Sequence, residues 1–176
     1  MVPAKGTLSL TDFDANADAV KSGRLSDYRI LHIATHGLLN GDDPDLSGVV
    51  LSLVDKHGKG MDGFLRLRDI YKLKLSSSLV VLSACQTALG REFWGASTVG
   101  LTSGFLHAGA RSVISTVWKV DDESTSELMR LFYTHLLKDK QRAPEALQAA
   151  QLEIAAQARW KAPYYWAGFV LSGEWK

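Results

Sequence analysis

Four short apolar runs punctuate the chain, and the stretches between them carry a helical period. Tyr28-Arg29-Ile30-Leu31-His32-Ile33-Ala34 reads as a strand, as do Leu79-Val80-Val81-Leu82 and Arg111-Ser112-Val113-Ile114-Ser115-Thr116-Val117-Trp118. The fourth run is Tyr165-Trp166-Ala167-Gly168-Phe169-Val170-Leu171. The first three are largely apolar on both faces, as strands covered by helices on both sides should be. A short helix is predicted around 69–73 from Asp69, Ile70, Tyr71 and Leu73. The segment 97–107 places Leu101, Phe105 and Leu106 on one side, with Gly109 as a stop just past its end. The segment 123–138 carries Leu128, Leu131, Phe132 and Leu136 on one stripe, and Lys138 and Lys140 near its C-terminus suit the helix dipole. Pro144 fits the first turn of a further helix with the stripe Leu147, Ala150, Ile154 and Ala158. A weaker helix, headed by Thr11, falls near 12–21.

An insertion separates the first two main strands. Val49-Val50-Leu51-Ser52-Leu53-Val54 predicts a strand, Lys56-His57-Gly58-Lys59-Gly60 a turn, and Gly63-Phe64-Leu65-Arg66-Leu67 a return. The expected architecture is α/β, in three layers, with a mostly parallel central sheet and an edge hairpin insertion. With no internal repeat and no low-complexity linker, one domain over 1–176 is expected. Sheets of this type usually have strands before the first one found here. The chain therefore reads as the C-terminal part of a longer natural protein, and the first strand needs a neighbour or protection on its far side.

Charge and composition narrow the function classes. Lys and Arg total 20 against 19 Asp and Glu, a net charge of +1, which gives no global reason to expect a nucleic-acid or anionic-membrane partner. Cys85 is the single cysteine, so an internal disulfide and a Cys₄ zinc site are both excluded. No apolar run is long enough to span a bilayer, and no apolar signal core follows Met1. The expectation is a soluble cytoplasmic domain with no membrane contact. In such a setting an unpaired cysteine is a candidate nucleophile.

The residues beside that cysteine give it a chemical context. The first strand ends Ala34-Thr35-His36-Gly37 and the second ends Ser83-Ala84-Cys85-Gln86. In an open parallel sheet, sites form at the carboxyl ends of strands. Forty-nine residues separate His36 from Cys85, matching the spacing of about 50 found in caspase-type enzymes. An imidazole near a thiol raises the thiolate population and later protonates a leaving amine. Gly37 allows close backbone approach to a scissile carbonyl, and its amide, with that of Cys85, would form an oxyanion hole. Taken singly, a strand-end cysteine is a small buried hydrophobe and a strand-end histidine caps a loop; the pairing is what points to catalysis.

Leu31-His32-Ile33-Ala34-Thr35-His36-Gly37 and Leu82-Ser83-Ala84-Cys85-Gln86-Thr87-Ala88-Leu89-Gly90 resemble the two signature blocks of CHAT domains. These are caspase-like domains usually found C-terminal to tetratricopeptide repeats in bacteria. Further blocks agree, in the family's order: Leu46-Ser47-Gly48-Val49-Val50-Leu51, Gly100-Leu101-Thr102-Ser103-Gly104-Phe105 with Ala108-Gly109-Ala110, Val117-Trp118-Lys119-Val120-Asp121-Asp122, and Pro163-Tyr164-Tyr165-Trp166-Ala167-Gly168-Phe169. The resemblance covers about 12–176. It implies a caspase/separase-like fold and a His–Cys dyad peptidase, with His36 and Cys85 catalytic, a protein or peptide substrate, and no cofactor. A tetratricopeptide-repeat region is the implied partner in the natural protein. The chain departs from the family at Gly95-Ala96-Ser97, where members commonly have Gly-Glu-Gly; the missing acid predicts a looser loop contact near the site.

Other motifs have plainer readings. Gly58-Lys59-Gly60-Met61-Asp62-Gly63 spells G-x-G-x-x-G, but it lies in a hairpin turn and no acid ends the next main strand, so dinucleotide binding is rejected. The five histidines are scattered, so no metal site is expected. His32 reads as a satisfied core histidine, and His107 and His135 as packing or surface residues. Trp160, Trp166 and Trp175 read as core and rim. Asp121 and Asp122 follow Trp118 at the sheet edge that carries the dyad. The stretch resembles separases, in which an acid after such a tryptophan helps bind a basic residue; the other reading is an N-cap for the helix near Glu123. Both stand open, with Asp122 favoured as the substrate-facing acid beside Trp118 and Asp121 as the cap. The function expected from the sequence is a cysteine endopeptidase working through a thioester; the alternative is a non-catalytic interaction or regulatory module on the same fold.

Overall fold

The structure is a computed structural model, and it describes residues 6–40, 46–83, 85–89 and 96–174. In chain order the elements are α1 (Ala17–Lys21), β1 (Ile30–Ile33), β2 (His36–Asn40), β3 (Gly48–Val50), β4 (Phe64–Arg66) and α2 (Leu67–Ile70). Then come β5 (Leu79–Leu82), β6 (Cys85–Leu89), α3 (Ala96–His107), β7 (Ser112–Thr116), α4 (Asp122–Tyr133), α5 (Ala143–Ala156) and β8 (Phe169–Gly173). The main sheet has the order β1-β5-β7-β8, with β1, β5 and β7 parallel and β8 antiparallel to β7. Its two faces bury separate clusters. Val80, Leu82 and Val113 pack with Ile70, Leu101 and Phe105 from α2 and α3. Leu79, Val81 and Ile114 pack with Leu128, Phe132, Leu147 and Ile154 from α4 and α5. Successive residues of β5 thus feed opposite layers, which is why the run is apolar without alternation.

The expected first strand is really two. β1 stops at Ile33, and after Ala34 and Thr35 the chain enters β2 in a second sheet of order β4-β3-β2-β6. Likewise β5 ends at Leu82 in the main sheet and β6 starts at Cys85 in the second. The hairpin is present, since β3 and β4 pair antiparallel with Val49 opposite Leu65. It does not extend the main sheet, however; it pairs through β3 with β2. At its turn the Asp55 carboxylate accepts the amides of His57 and Lys59, so these amides serve the hairpin, and Gly58 takes the left-handed conformation at φ +78°.

Other boundaries moved for local reasons. Asn16, not Thr11, caps α1 by accepting the Ala19 amide; a separate 3₁₀ turn, Asp12–Asp14, opens at Asp12 with φ +49° and breaks the expected longer helix. The return strand yields Leu67 to α2, where it is buried. The long helix after Trp118 ends at Tyr133 and continues as a π-turn, Thr134–Lys138, in which the Asp139 amide reaches the Thr134 carbonyl. α5 stops at Ala156, since Gln157 turns extended, leaving Ala158 exposed outside the stripe. The fourth strand starts at Phe169: Pro163–Tyr165 is a 3₁₀ turn, and Gly168 lies so close to Trp118 that a Cβ would sit 2.9 Å from its indole. α3 ends as expected, with Gly109 at φ +110° and the Ala110 amide returning to the Phe105 carbonyl.

β1 is the outer strand of the main sheet among the described residues. Along it runs a groove of about 460 Å³, walled by Leu8, Leu10, Leu25 and Tyr28 as well as by β1 itself.

Candidate active site

The two interrupted strands keep one register across their interruption. Ile33 pairs with Leu82 in the main sheet, and His36 pairs with Cys85 in the second. The offset of 49 residues seen in the sequence is therefore the register of the whole β1–β2 and β5–β6 pair. His36 is the first residue of β2 and Cys85 the first of β6. Residues opposite each other in a ladder occupy the same face of a sheet, about 5 Å apart at Cα. The imidazole of His36 is exposed. Cys85 is described through its backbone; its side chain lies outside the described residues.

Hydroxyl groups hold the interruption on both strands. Thr35, the residue before His36, donates its Oγ1 proton to the Val50 carbonyl of β3, and Val50 is itself the register partner of His36. On the other strand Ser83 donates its amide to the Ile33 carbonyl at 3.2 Å. Its hydroxyl forms a hydrogen bond with Nε2 of His32 at 2.7 Å. The Thr35 hydroxyl thus gives a carbonyl of β3 a donor, and the Ser83 hydroxyl adds a side-chain tie to its backbone bond with β1. Neither Thr35 nor Ser83 stood out in the sequence as a site residue. Their signal was the hydroxyl residue shortly before each dyad member.

His32 is satisfied, as expected, but it is not a core residue: its side chain keeps an exposed edge. The ring lies 5.6 Å from that of Tyr133, tilted by 34°. The protein packed around it desolvates the imidazole enough to lower its pKa from the ordinary histidine value. Burial raises the phenol of Tyr133. His32 and His36 are four apart, the spacing that pairs two ligands on a helix face, but here they sit on successive strands in different sheets. His135 bonds both Asp139 and Glu153, and His107 packs edge-on against Tyr71, so both are structural.

The other candidates divide. Gly37 is buried in β2, opposite Gln86. Trp118 donates its indole N–H to the Tyr164 carbonyl at 3.0 Å. Asp121 caps α4, its Oδ1 accepting the Ser124 amide at 2.9 Å. Asp122 is the first residue of α4 and is exposed. β7 neighbours β5, so the segment carrying Trp118, Asp121 and Asp122 leaves the main sheet beside the strand that leads to Cys85. Gly95 and Trp175 lie outside the described residues, and Ala96 is described by its backbone as the start of α3.

A parallel α/β sheet that hands a histidine and a cysteine to one register position defines a class of candidate thiol hydrolases. Comparison with known proteins shows the family. The model of the CHAT domain matches residues 2–174, and the chain belongs to that family, one of caspase-like peptidases. It is similar to tetratricopeptide repeat protein 28 of Mus musculus, 36% identical over 110 residues, and to that of Homo sapiens, 31% identical over 110 residues. These matches cover 62% of this chain and 4% of each relative, so the chain spans a small fraction of their length.

Proposed function

We propose that the chain is a cysteine endopeptidase domain of caspase-like fold that cleaves a protein partner through His36 and Cys85. The observation carrying this reading is that the two residues are register partners at the first positions of β2 and β6. The Cys85 thiolate adds to the scissile carbonyl. The carbonyl oxygen becomes an oxyanion, for which the amides of Gly37 and Cys85 are the donors. The C–N bond then breaks as His36 gives its proton to the leaving amine, and a thioester remains. Water, losing a proton to His36, attacks the thioester and releases the acid, and the thiol is restored. One oxyanion donor is commonly worth about 3 kcal/mol. Asp122, four residues after Trp118, supplies the carboxylate that favours Arg or Lys before the cleaved bond. Membership in a peptidase family and relatives named for tetratricopeptide repeats support a natural context in which such repeats present the substrate.

The test is a peptide library incubated with wild type, Cys85→Ala and His36→Ala, each checked for folding by circular dichroism. Both variants should lose hydrolysis while keeping the wild-type spectrum. Full hydrolysis by Cys85→Ala would show that the thiol is not the nucleophile. A folded wild type that neither cleaves nor reacts with electrophilic peptides would point to an interaction module instead.

A further inference from the structure

We propose that His32 is a positioning residue: by holding Ser83, it fixes the two-residue step that sets Cys85 opposite His36. The inference rests on the dyad reading above. Only Ser83 and Ala84 separate the end of β5 from Cys85. Ser83 is fastened to the neighbouring strand twice, through its amide to Ile33 and through its hydroxyl to His32. A residue held at both its backbone and its side chain has little freedom to rotate, and that restraint passes to the start of β6.

His32 is itself well anchored. Its backbone belongs to β1, opposite Val81. Its ring meets that of Tyr133, which in turn packs edge-on against Phe132, a residue wholly buried in the core of α4 and α5. A chain of contacts therefore runs from the helical layer through the imidazole to Ser83 and the cysteine strand. The partial burial that lowers the pKa of His32 keeps the ring neutral near neutral pH, with one nitrogen a donor and the other an acceptor. A neutral imidazole can therefore serve the Ser83 hydroxyl as donor or acceptor.

Thiol reactivity tests this without knowledge of the substrate, because Cys85 is the chain's only cysteine. The rate of alkylation by iodoacetamide is measured by mass spectrometry across pH 5–10 on the full chain. Wild type, His36→Ala, His32→Ala, His32→Gln and Ser83→Ala are compared, with thermal midpoints recorded for each. A free thiol has a midpoint of about 8.5. The expected result is a lower midpoint in wild type and an upward shift in His36→Ala. His32→Ala and Ser83→Ala should shift it upward too, by about half a unit, a threefold loss of thiolate on the rising limb. His32→Gln offers an amide at similar reach and should restore the wild-type profile. A merely structural pair would change the melting temperature and leave the profile where it was.

If His36→Ala moves the midpoint while Ser83→Ala and His32→Ala do not, the positioning role is wrong and the dyad stands. If His32→Gln is displaced as far as His32→Ala, the hydrogen bond is not the route and the proposal fails. If His36→Ala itself leaves the profile unchanged, the dyad reading falls, and this inference falls with it.

Discussion

Replacing Asp121 and Asp122 one at a time separates a carboxylate that holds a helix from one that meets substrate. Asp121 has extended backbone, φ −80° and ψ 136°, and its Oδ1 accepts the Ser124 amide at 2.9 Å. Its carbonyl accepts the Thr125 amide at 3.0 Å and the Ser124 hydroxyl at 3.2 Å, bonds that an alanine keeps. Asp121→Ala therefore removes one hydrogen bond to an otherwise unpaired helix donor, together with a negative charge at the positive end of α4. Loss of a cap costs about 1 kcal/mol, and the dipole contribution adds about 0.5 kcal/mol. In a domain of this length each kcal/mol moves the melting point by about 3 °C. Asp121→Ala should melt about 4 °C lower, and Asp121→Asn, which keeps an acceptor, should recover most of that.

Asp122 sits one residue later and is exposed. Its alanine variant keeps the Asp121 cap and should melt within about 2 °C of wild type. Its effect should fall on cleavage after Arg or Lys, depressed at least about tenfold, the equivalent of about 1.4 kcal/mol in the transition state. Thermal melts and peptide-library cleavage on the same preparations resolve the two roles. A wild-type melting point in Asp121→Ala would refute the capping argument. An unchanged residue preference in Asp122→Ala, or a wild-type preference for acidic or apolar residues, would refute the specificity assignment and leave the dyad untouched.

Two further outcomes follow from geometry away from the site. Gly109→Ala should destabilise by at least about 2 kcal/mol in urea titration, since φ +110° is strained for a side chain and the new Cβ would lie 2.2 Å from the Leu75 carbonyl oxygen; an unchanged midpoint would contradict the close approach. Arg130 binds Glu127 at 2.7 Å and holds its carboxyl below the ordinary value of 4.5, so the stabilisation is present above that value and lost as pH falls through the lower folded one. Glu127→Gln should flatten the acid limb of a stability–pH curve and leave its slope near pH 7 alone.

The helices and the main strands were legible because each layer writes its own period. Leu101 and Phe105, or Leu128 and Phe132, recur at helical spacing, and the β5 run is apolar throughout since both its faces are covered. The division of β1 from β2 was not legible. Ala34, Thr35, Ser83 and Ala84 are small, two of them carrying a hydroxyl, and nothing in their identity says that the ladder stops and resumes. The fourth strand was placed early because Tyr165 and Trp166 look like strand residues, whereas Pro163 starts a turn that holds them. His36 and Cys85 were found through chemistry and spacing, and the ladder supplies the physical meaning of that spacing. His32 was read as core because its neighbours are apolar; its tie to Ser83 crosses 51 residues of sequence and needed the register to be seen.

The unbroken register has a consequence for how such a chain tolerates changes in length. The hairpin and α2 lie in the connection between β2 and β5, and loop closure grows costlier only slowly, by about 0.6 kcal/mol per doubling of length. Residues gained or lost there leave both ladders in phase. The two-residue steps have no such latitude. With the flanking ladders held, one residue inserted beside Thr35 or deleted beside Ser83 slips His36 or Cys85 by one position and turns it to the opposite face of the sheet. Drift in length is thereby confined to the surface insertion, and the two short steps act as the chain's phase lock.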